Sequence, residues 1–424
     1  MKIYVRYGLG VLLPILLQAG CGKSADSGKV TLIVTSWFTN NIDLYRREVF
    51  DPFEREHPNL KVEPRFAIYQ DYFPKLLASA ASGGHFGDLV QVDDAYAAEL
   101  FERDYAIDLN PFVLRDLRPK DFSIRDLDLW RHQSSGSNEL LGFPPWAGVT
   151  VLFYNKDLFD SASVPYPDSN WTYDSLLQVA RRLTRDTDGD GVADQWGFDL
   201  RVNNFFQSLV YSFGGGLVDP KSRRAEIDKP GSIAALQYVY DLTNKYKVAP
   251  RMLTYQGLPP FVTGNAAMLI EGDFNVVYLK DVRFHWGIAP LPKGPSGRLS
   301  RRYGSAFCIP KTSKHREEAW QLLKWIVTYP PGVHAGEVFD GMIPTYRPLA
   351  HSTEWMKHYH QGEAEILLEI YDKYSFSPVS RGWMEWSDLG IIPYVEDVMA
   401  GRSSPLEAAH ASAARVNEML GKVK

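Results

Sequence analysis

The sequence predicts an α/β protein built in two domains, and three observations carry that reading. Apolar, β-branched runs alternate with runs of helical spacing along the first third of the chain. The same alternation starts again after "ELLGFPPWAG". A chain of 424 residues is too long for one small core and suits two, each of about 150–200 residues. Alternation of this kind builds a largely parallel sheet covered by helices.

The elements follow in order. "KVTLIVTSWF" is an unbroken apolar strand. In "IDLYRREVFDPFEREHP" the spacing of Ile42, Tyr45, Val49, Phe50 and Phe53 predicts a helix that stops at Pro58. "LKVEPRFA" is a second strand, "DYFPKLLASAASGG" a helix closed by glycines, and "GDLVQVDD" a third strand ending in acids. "AYAAELFERD" is again helical. After the restart, "VTVLFYNKDLF" is a strand running into a helix. "WTYDSLLQVARRLT" is a helix with Thr172 as N-cap and Asp174 in its electropositive first turn. Then come the helix "SIAALQYVYDLTNKYK", the strand "AAMLIEGDF" and the Pro/Gly-rich crossing "FHWGIAPLPKGPSG". The strand "SAFCIP" and the helix "KHREEAWQLLKWIV" follow. A last helix is capped by Ser403 or Ser404, with Pro405 in its first turn.

Composition narrows the function. The net charge of −5 recommends no polyanionic partner, so nucleic acid is excluded. Aromatic residues make up 13% of the chain, which suits either large cores or a groove lined with rings. At the N-terminus, Lys2 and Arg6 precede the apolar run "YGLGVLLPILLQAG", too short for a permanent membrane span. Ala19 and Gly20 lead to Cys21, followed by a polar linker over 21–28. This resembles a bacterial lipoprotein signal, which implies cleavage after residue 20 and acylation of Cys21; Gln18 stands where such signals usually carry Leu. The other cysteine, Cys308, lies in an apolar strand-like run and reads as a buried inert thiol.

Six segments then occur in a familiar order: "DPFEREHPNLKVEPRF", "GDLVQVDD", "LLGFPPWAGVTVLFYNKDLF", "FVTGNAAMLIEGDF", "GIAPLPKGPSG" and "AFCIPKTSKHREEAWQLLKWI". Together they resemble the bacterial extracellular solute-binding proteins of sugar ABC importers, the maltose- and multiple-sugar-binding type. The resemblance covers nearly all of 29–420. It implies the type II periplasmic-binding-protein fold: two α/β lobes joined by a hinge, with ligand in the cleft between them. By position, lobe 1 is expected over 29–145 plus 301–345, and lobe 2 over 146–300 plus 346–424. Open α/β sheets also bind ligands beyond the carboxyl ends of their strands.

Sugars are held by polar groups at the ring edge and aromatic faces against the C–H side. Candidates therefore stand just past strand ends. Trp37 and Phe38 follow the first strand, with Asn40 and Asn41 beside them. Asp93 and Asp94 close the third strand, one of them a possible helix N-cap. Trp146 lies at the first crossing. Asp273 and Phe274 fall where the family often stacks an aromatic ring on sugar, and Arg302, Tyr303 and Ser305 lie where the chain re-enters the first lobe. Trp383 and Trp386, three apart, share a face if helical and form either a stacking wall or packing between helices. Arg381 beside them suits hydroxyls or a uronate carboxylate.

Other constellations carry less. His358 and His360 are two apart, the wrong spacing for a helical metal pair, and with His351 they read as surface residues. "FGGGL" lacks the Lys and Ser/Thr of a phosphate loop and reads as a turn. The run "DTDGDGVADQWGF" matches a hand-type calcium loop through its ninth position: Asp186, Asp188, Asp190, the Val192 carbonyl and Asp194. The twelfth position is Gly197 instead of the bidentate Glu, so calcium there would be weak and structural, and a metal-free Asp/Gly turn series is the other reading. No other cofactor is expected.

The expectation is a monomeric, non-enzymatic carbohydrate-binding lipoprotein. It is exported and lipid-anchored at the outer face of the cell membrane or in the periplasm, and it delivers a mono- or oligosaccharide to an ABC permease. Binding of a polyol phosphate is the alternative. A secreted glycoside hydrolase using Asp93 and Glu271 is the rival from another class.

Overall fold

The computed structural model describes residues 28–37, 42–131, 138–251, 259–329, 342–357, 359, 360, 362–380 and 382–422. Cys21, Phe38, Asn40, Asn41, His358 and Arg381 lie outside the described residues.

One nine-stranded sheet runs through the molecule. Its strands are β1 (Val30–Ser36), β2 (Leu60–Phe66), β3 (Leu89–Asp93), β4 (Phe143–Asn155), β5 (Met268–Gly272), β6 (Trp286–Ala289), β7 (Ser300–Cys308), β8 (Ile343–Pro344) and β9 (Ser375–Phe376). The main path is β8-β4-β7-β3-β1-β2, with β5 and β6 added on β4 and β9 on β7. Only β1/β2, β1/β3 and β7/β9 are parallel; every other named pair in this sheet is antiparallel. The largely parallel sheet expected from the sequence is therefore corrected to a mixed one. The reason is that β4 leaves the first half of the molecule where β7 returns to it, so the two must run in opposite directions.

Strand β4 is the axis of the fold. All 13 of its residues are buried. Its first part pairs with β7, from Phe143↔Phe307 to Val149↔Arg302, and its second part pairs with β5 and β6. The register slips between Phe143 and Trp146, where Pro144 and Pro145 have no N–H to give the ladder. The "FPPW" stretch is thus the start of this buried strand.

Three apolar cores flank the sheet. One gathers Leu32, Phe53, Phe73 and Leu100 with Phe307 and Trp320. A second gathers Leu176, Phe205, Leu236, Ile270, Trp386 and Val416. A third packs Val151, Phe261, Trp355 and Leu367 on the other side of β4 and β5. The helices that matter for the site are α1 (Tyr69–Ala81), α2 (Asp94–Glu102), α3 (Tyr173–Leu183), α4 (Val202–Ser212), α5 (Trp383–Gly390) and α6 (Pro405–Lys422). Capping follows the sequence. Thr172 and Ser175 form a reciprocal capping box on α3. Ser404 takes the Glu407 N–H at 3.3 Å while Glu407 takes the Ser404 N–H at 3.1 Å, which starts α6. Among the described residues, no helix is long and apolar enough to cross a membrane.

Candidate ligand-binding cleft

The carboxyl ends of β1 and β3 face α4 and α5 across a cavity of about 680 Å³. Trp37 directly follows β1 and Asp93 closes β3, and both line this space. Asp93 also caps α2, accepting the Ala95 N–H at 2.9 Å, so the polypeptide turns sharply enough to hold Asp94 at the cavity as well. Burial raises both carboxyls above the usual carboxylate range, and for Asp93 the neighbouring Asp94 charge adds to it.

Strand β7 supplies the floor. Side chains alternate along a strand, so Arg301, Tyr303 and Ser305 share one face and reach the cavity. Arg302 falls on the other face, where its guanidinium donates to the Arg125 carbonyl at 3.1 Å. Arg301 ties the two sides together. Its Nη1 donates to Asn204 Oδ1 at 2.8 Å, and its Nη2 stands 3.6 Å from Asp94 Oδ1. Its guanidinium also lies 5.4 Å from the Tyr303 ring centre and 5.8 Å from that of Trp383. Ser305 Oγ accepts from Gln91, whose carbonyl accepts from Ser36, a buried polar chain beneath the floor.

Aromatic rings stand on both sides. Trp37 meets the edge of Tyr69 at 5.7 Å, and both line the cavity. Opposite them, the 3₁₀ turn Asp273–Leu279 presents Phe274 and Tyr278, and α5 presents Trp383.

The sequence candidates separate on this geometry. Trp37, Asp93, Asp94, Phe274, Tyr303, Ser305 and Trp383 line one cavity. Four others do not. Trp146 is 3% exposed and packs its edge on Phe307 in the first core. Arg302 faces away. Asp273 is fully buried below the Phe274 turn, accepting from the Tyr303 hydroxyl. Trp386 is 1% exposed and supports Trp383 edge-on at 4.7 Å. Sequence reasoning missed Tyr69, Asn204, Gln207 and Arg301. The strand alternation that includes Tyr303 and Ser305 already pointed to Arg301. Glu271 is not among the residues lining the cavity; its carboxylate accepts from Asn204 and from the Gly272 N–H.

The aspartate run folds as an exposed loop. Asp186, Asp188 and Asp194 each offer a carboxylate oxygen, all within 4.8 Å of one another, a donor set of the hard-oxygen kind that suits calcium. Their oxygens also serve the loop itself. Asp186 accepts the N–H groups of Gly189 and Gly191 at 2.7 and 2.9 Å, and Asp194 accepts from Thr187. Asp190 is turned to the Val192 N–H at 2.7 Å and stands outside that cluster.

Comparison with known proteins places this geometry. The family model described as bacterial extracellular solute-binding protein matches residues 39–330. The chain belongs to this family. Among its relatives is the arabinooligosaccharide-binding protein of Bacillus subtilis, 25% identical over 92% of each chain. Another is the maltooligosaccharide ABC transporter solute-binding lipoprotein of Streptococcus pneumoniae, 25% identical over 75% of this chain and 74% of the relative. In fold it is similar to a Listeria monocytogenes ABC substrate-binding protein solved with cycloalternan. That likeness has a TM-score of 0.80 at 22% identity, covering 93% of this chain and 99% of the other. For a solute-binding protein of this family, the cavity between the cores is the natural candidate site.

Proposed function

We propose that this chain is the sugar-binding receptor of an ABC importer. The observation that carries the reading is the cavity between the cores. Trp37 and Tyr69 supply rings from one side, Phe274, Tyr278 and Trp383 from the other, and Asp94, Asn204 and Arg301 supply hydrogen-bonding groups at its floor. Rings facing C–H surfaces above a polar floor are what a carbohydrate requires. Two relatives named for oligosaccharide binding support the class. The lobes would be 29–145 plus 301–345 and 146–300 plus 346–424, closing on an oligosaccharide and handing it, as a monomer, to the permease. Cys21 would carry the lipid anchor, as the lipoprotein name of one relative supports. The loop at Asp186, Asp188 and Asp194 would hold calcium as scaffold.

Thermal-shift screening against a broad panel of neutral mono- and oligosaccharides tests the central claim, because a ligand that binds only the folded state raises the melting temperature. A panel with no shift would sink it. Mass spectrometry of the membrane-extracted protein tests the acylation of Cys21; an unmodified Cys21 overturns that part alone.

A further inference from the structure

Four charged residues are among the described residues that line the cavity: Asp93, Asp94, Arg301 and Asp388. Two of them offset each other in place. Asp94 and Arg301 are 2% and 9% exposed and stand 3.6 Å apart, so neither presents its charge freely to solvent. The two that an entering molecule can reach are both acids, for Asp93 is half-buried and Asp388 is exposed. They come from different elements, Asp93 from the end of β3 and Asp388 from the last turn of α5. Yet they share a neighbourhood. Tyr96 on α2 has its hydroxyl pushed up to about 12, first by burial and then by Asp93 and Asp388. The free carbonyls at the end of α5 add a negative field around Asp388.

The rings beside these acids suit the same charge. Trp37, Phe274 and Tyr278 line the cavity and none of them is fully buried. The face of an aromatic ring attracts a cation, as the Arg301 guanidinium 5.4 Å from the centre of Tyr303 already illustrates.

We propose that the cleft prefers a sugar carrying an ammonium group over its neutral counterpart, with Asp93 and Asp388 as the residues that read the charge. This rests on the sugar reading above and deepens it, since a neutral sugar still binds through rings and hydroxyl contacts alone. Desolvation and the Asp94 charge hold the Asp93 carboxyl above the usual carboxylate range, and an ammonium beside it offsets both. Asp388 is exposed, so its attraction is screened and the preference weakens as salt is raised.

The test is isothermal titration of the full soluble chain at pH 7 with matched pairs: glucose and glucosamine, galactose and galactosamine, cellotriose and the glucosamine trimer. Putrescine is added because it offers ammonium groups without a sugar ring. In a pair that binds, the amino sugar is expected to bind about tenfold tighter at low salt, with the gap shrinking at about 0.5 M salt. Asp388→Asn narrows that gap. Asp93→Asn, which keeps a good N-cap for α2, narrows it as well, so either variant decides should the other melt early. Equal affinity within every pair that binds overturns the proposal. So does a preference that both variants leave intact, or putrescine binding as tightly as the amino sugar. A panel in which no sugar binds, with or without an amine, overturns the sugar reading beneath it instead.

Discussion

The Tyr303 hydroxyl donates to the Asp273 carboxylate and accepts the Phe274 N–H at 3.4 Å, which joins the strand that floors the cavity to the turn that carries Phe274. Asp273 is fully buried, and its other oxygen, Oδ2, has no hydrogen bond among the described residues. Removing the donor leaves the carboxyl unsatisfied in an apolar setting. Tyr303→Phe is therefore expected to cost about 1–3 kcal/mol of stability, read by urea unfolding. An unchanged unfolding midpoint would show that the bond contributes nothing.

The same carboxyl sets a pH dependence. Burial raises Asp273 from 3.8 to about 8, against the lowering effect of the Tyr303 bond. The folded state thus keeps a proton that the unfolded chain releases. That stabilisation is complete below about pH 4 and is lost as the pH rises through about 8. Asp93 shifts in the same direction, so the measurement is a comparison. Wild type should lose more stability between pH 5 and pH 9 than Asp273→Asn does, with parallel curves counting against the shift.

Gly148 lies under the Tyr303 ring. A Cβ there would meet Cε2 and Cζ of that ring at 2.3 Å. Gly148→Ala should destabilise by about 1–3 kcal/mol by overpacking and move the ring away from Asp273. Thermal melting of the variant decides this, and a melting temperature equal to wild type refutes it.

Cys308 is fully buried on β7, and burial pushes its thiol far above the ordinary value. Peptide mapping after treatment with a thiol reagent should find Cys308 unlabelled in the native protein and labelled in denaturant. Rapid native labelling would mean that β7 opens readily.

The aspartate loop gives a calcium prediction. Calcium at about 10 mM, in the range suited to weak extracellular modules, should raise the melting temperature. Asp188→Asn, which keeps an acceptor for the Asp190 N–H and removes a charge, should abolish that rise. A calorimetric titration without heat at that concentration removes the metal.

How much of this was legible in the sequence depends on which period governed each residue. Trp37, Asp93 and Asp94 stood out because a strand of alternating or continuous apolar residues ends just before them, and ligands meet sheets at such ends. Arg301 and Arg302 look alike in a string. Only the alternation of β7 tells them apart, and following it from Tyr303 would have chosen Arg301. Asn204 and Gln207 were invisible because α4, "VNNFFQSLVYS", mixes polar and apolar residues in a way that hides its helical face. Trp146 misled because two prolines before it read as a loop, whereas they mark a bulge in a buried strand. For Trp383 and Trp386, three-residue spacing gave the shared helix but not which ring lay above the other.

The long reach of β7 has a consequence for how the protein comes to be folded. Val90 and its register partner Cys308 stand 218 positions apart, and the first core needs Phe307, Trp320 and Leu323 to be complete. Pairings between such distant parts form slowly, because a large loop must close before they contribute. On a ribosome, the N-terminal third emerges first yet waits for most of the chain. Its core closes only once Phe307, Trp320 and Leu323 have been made.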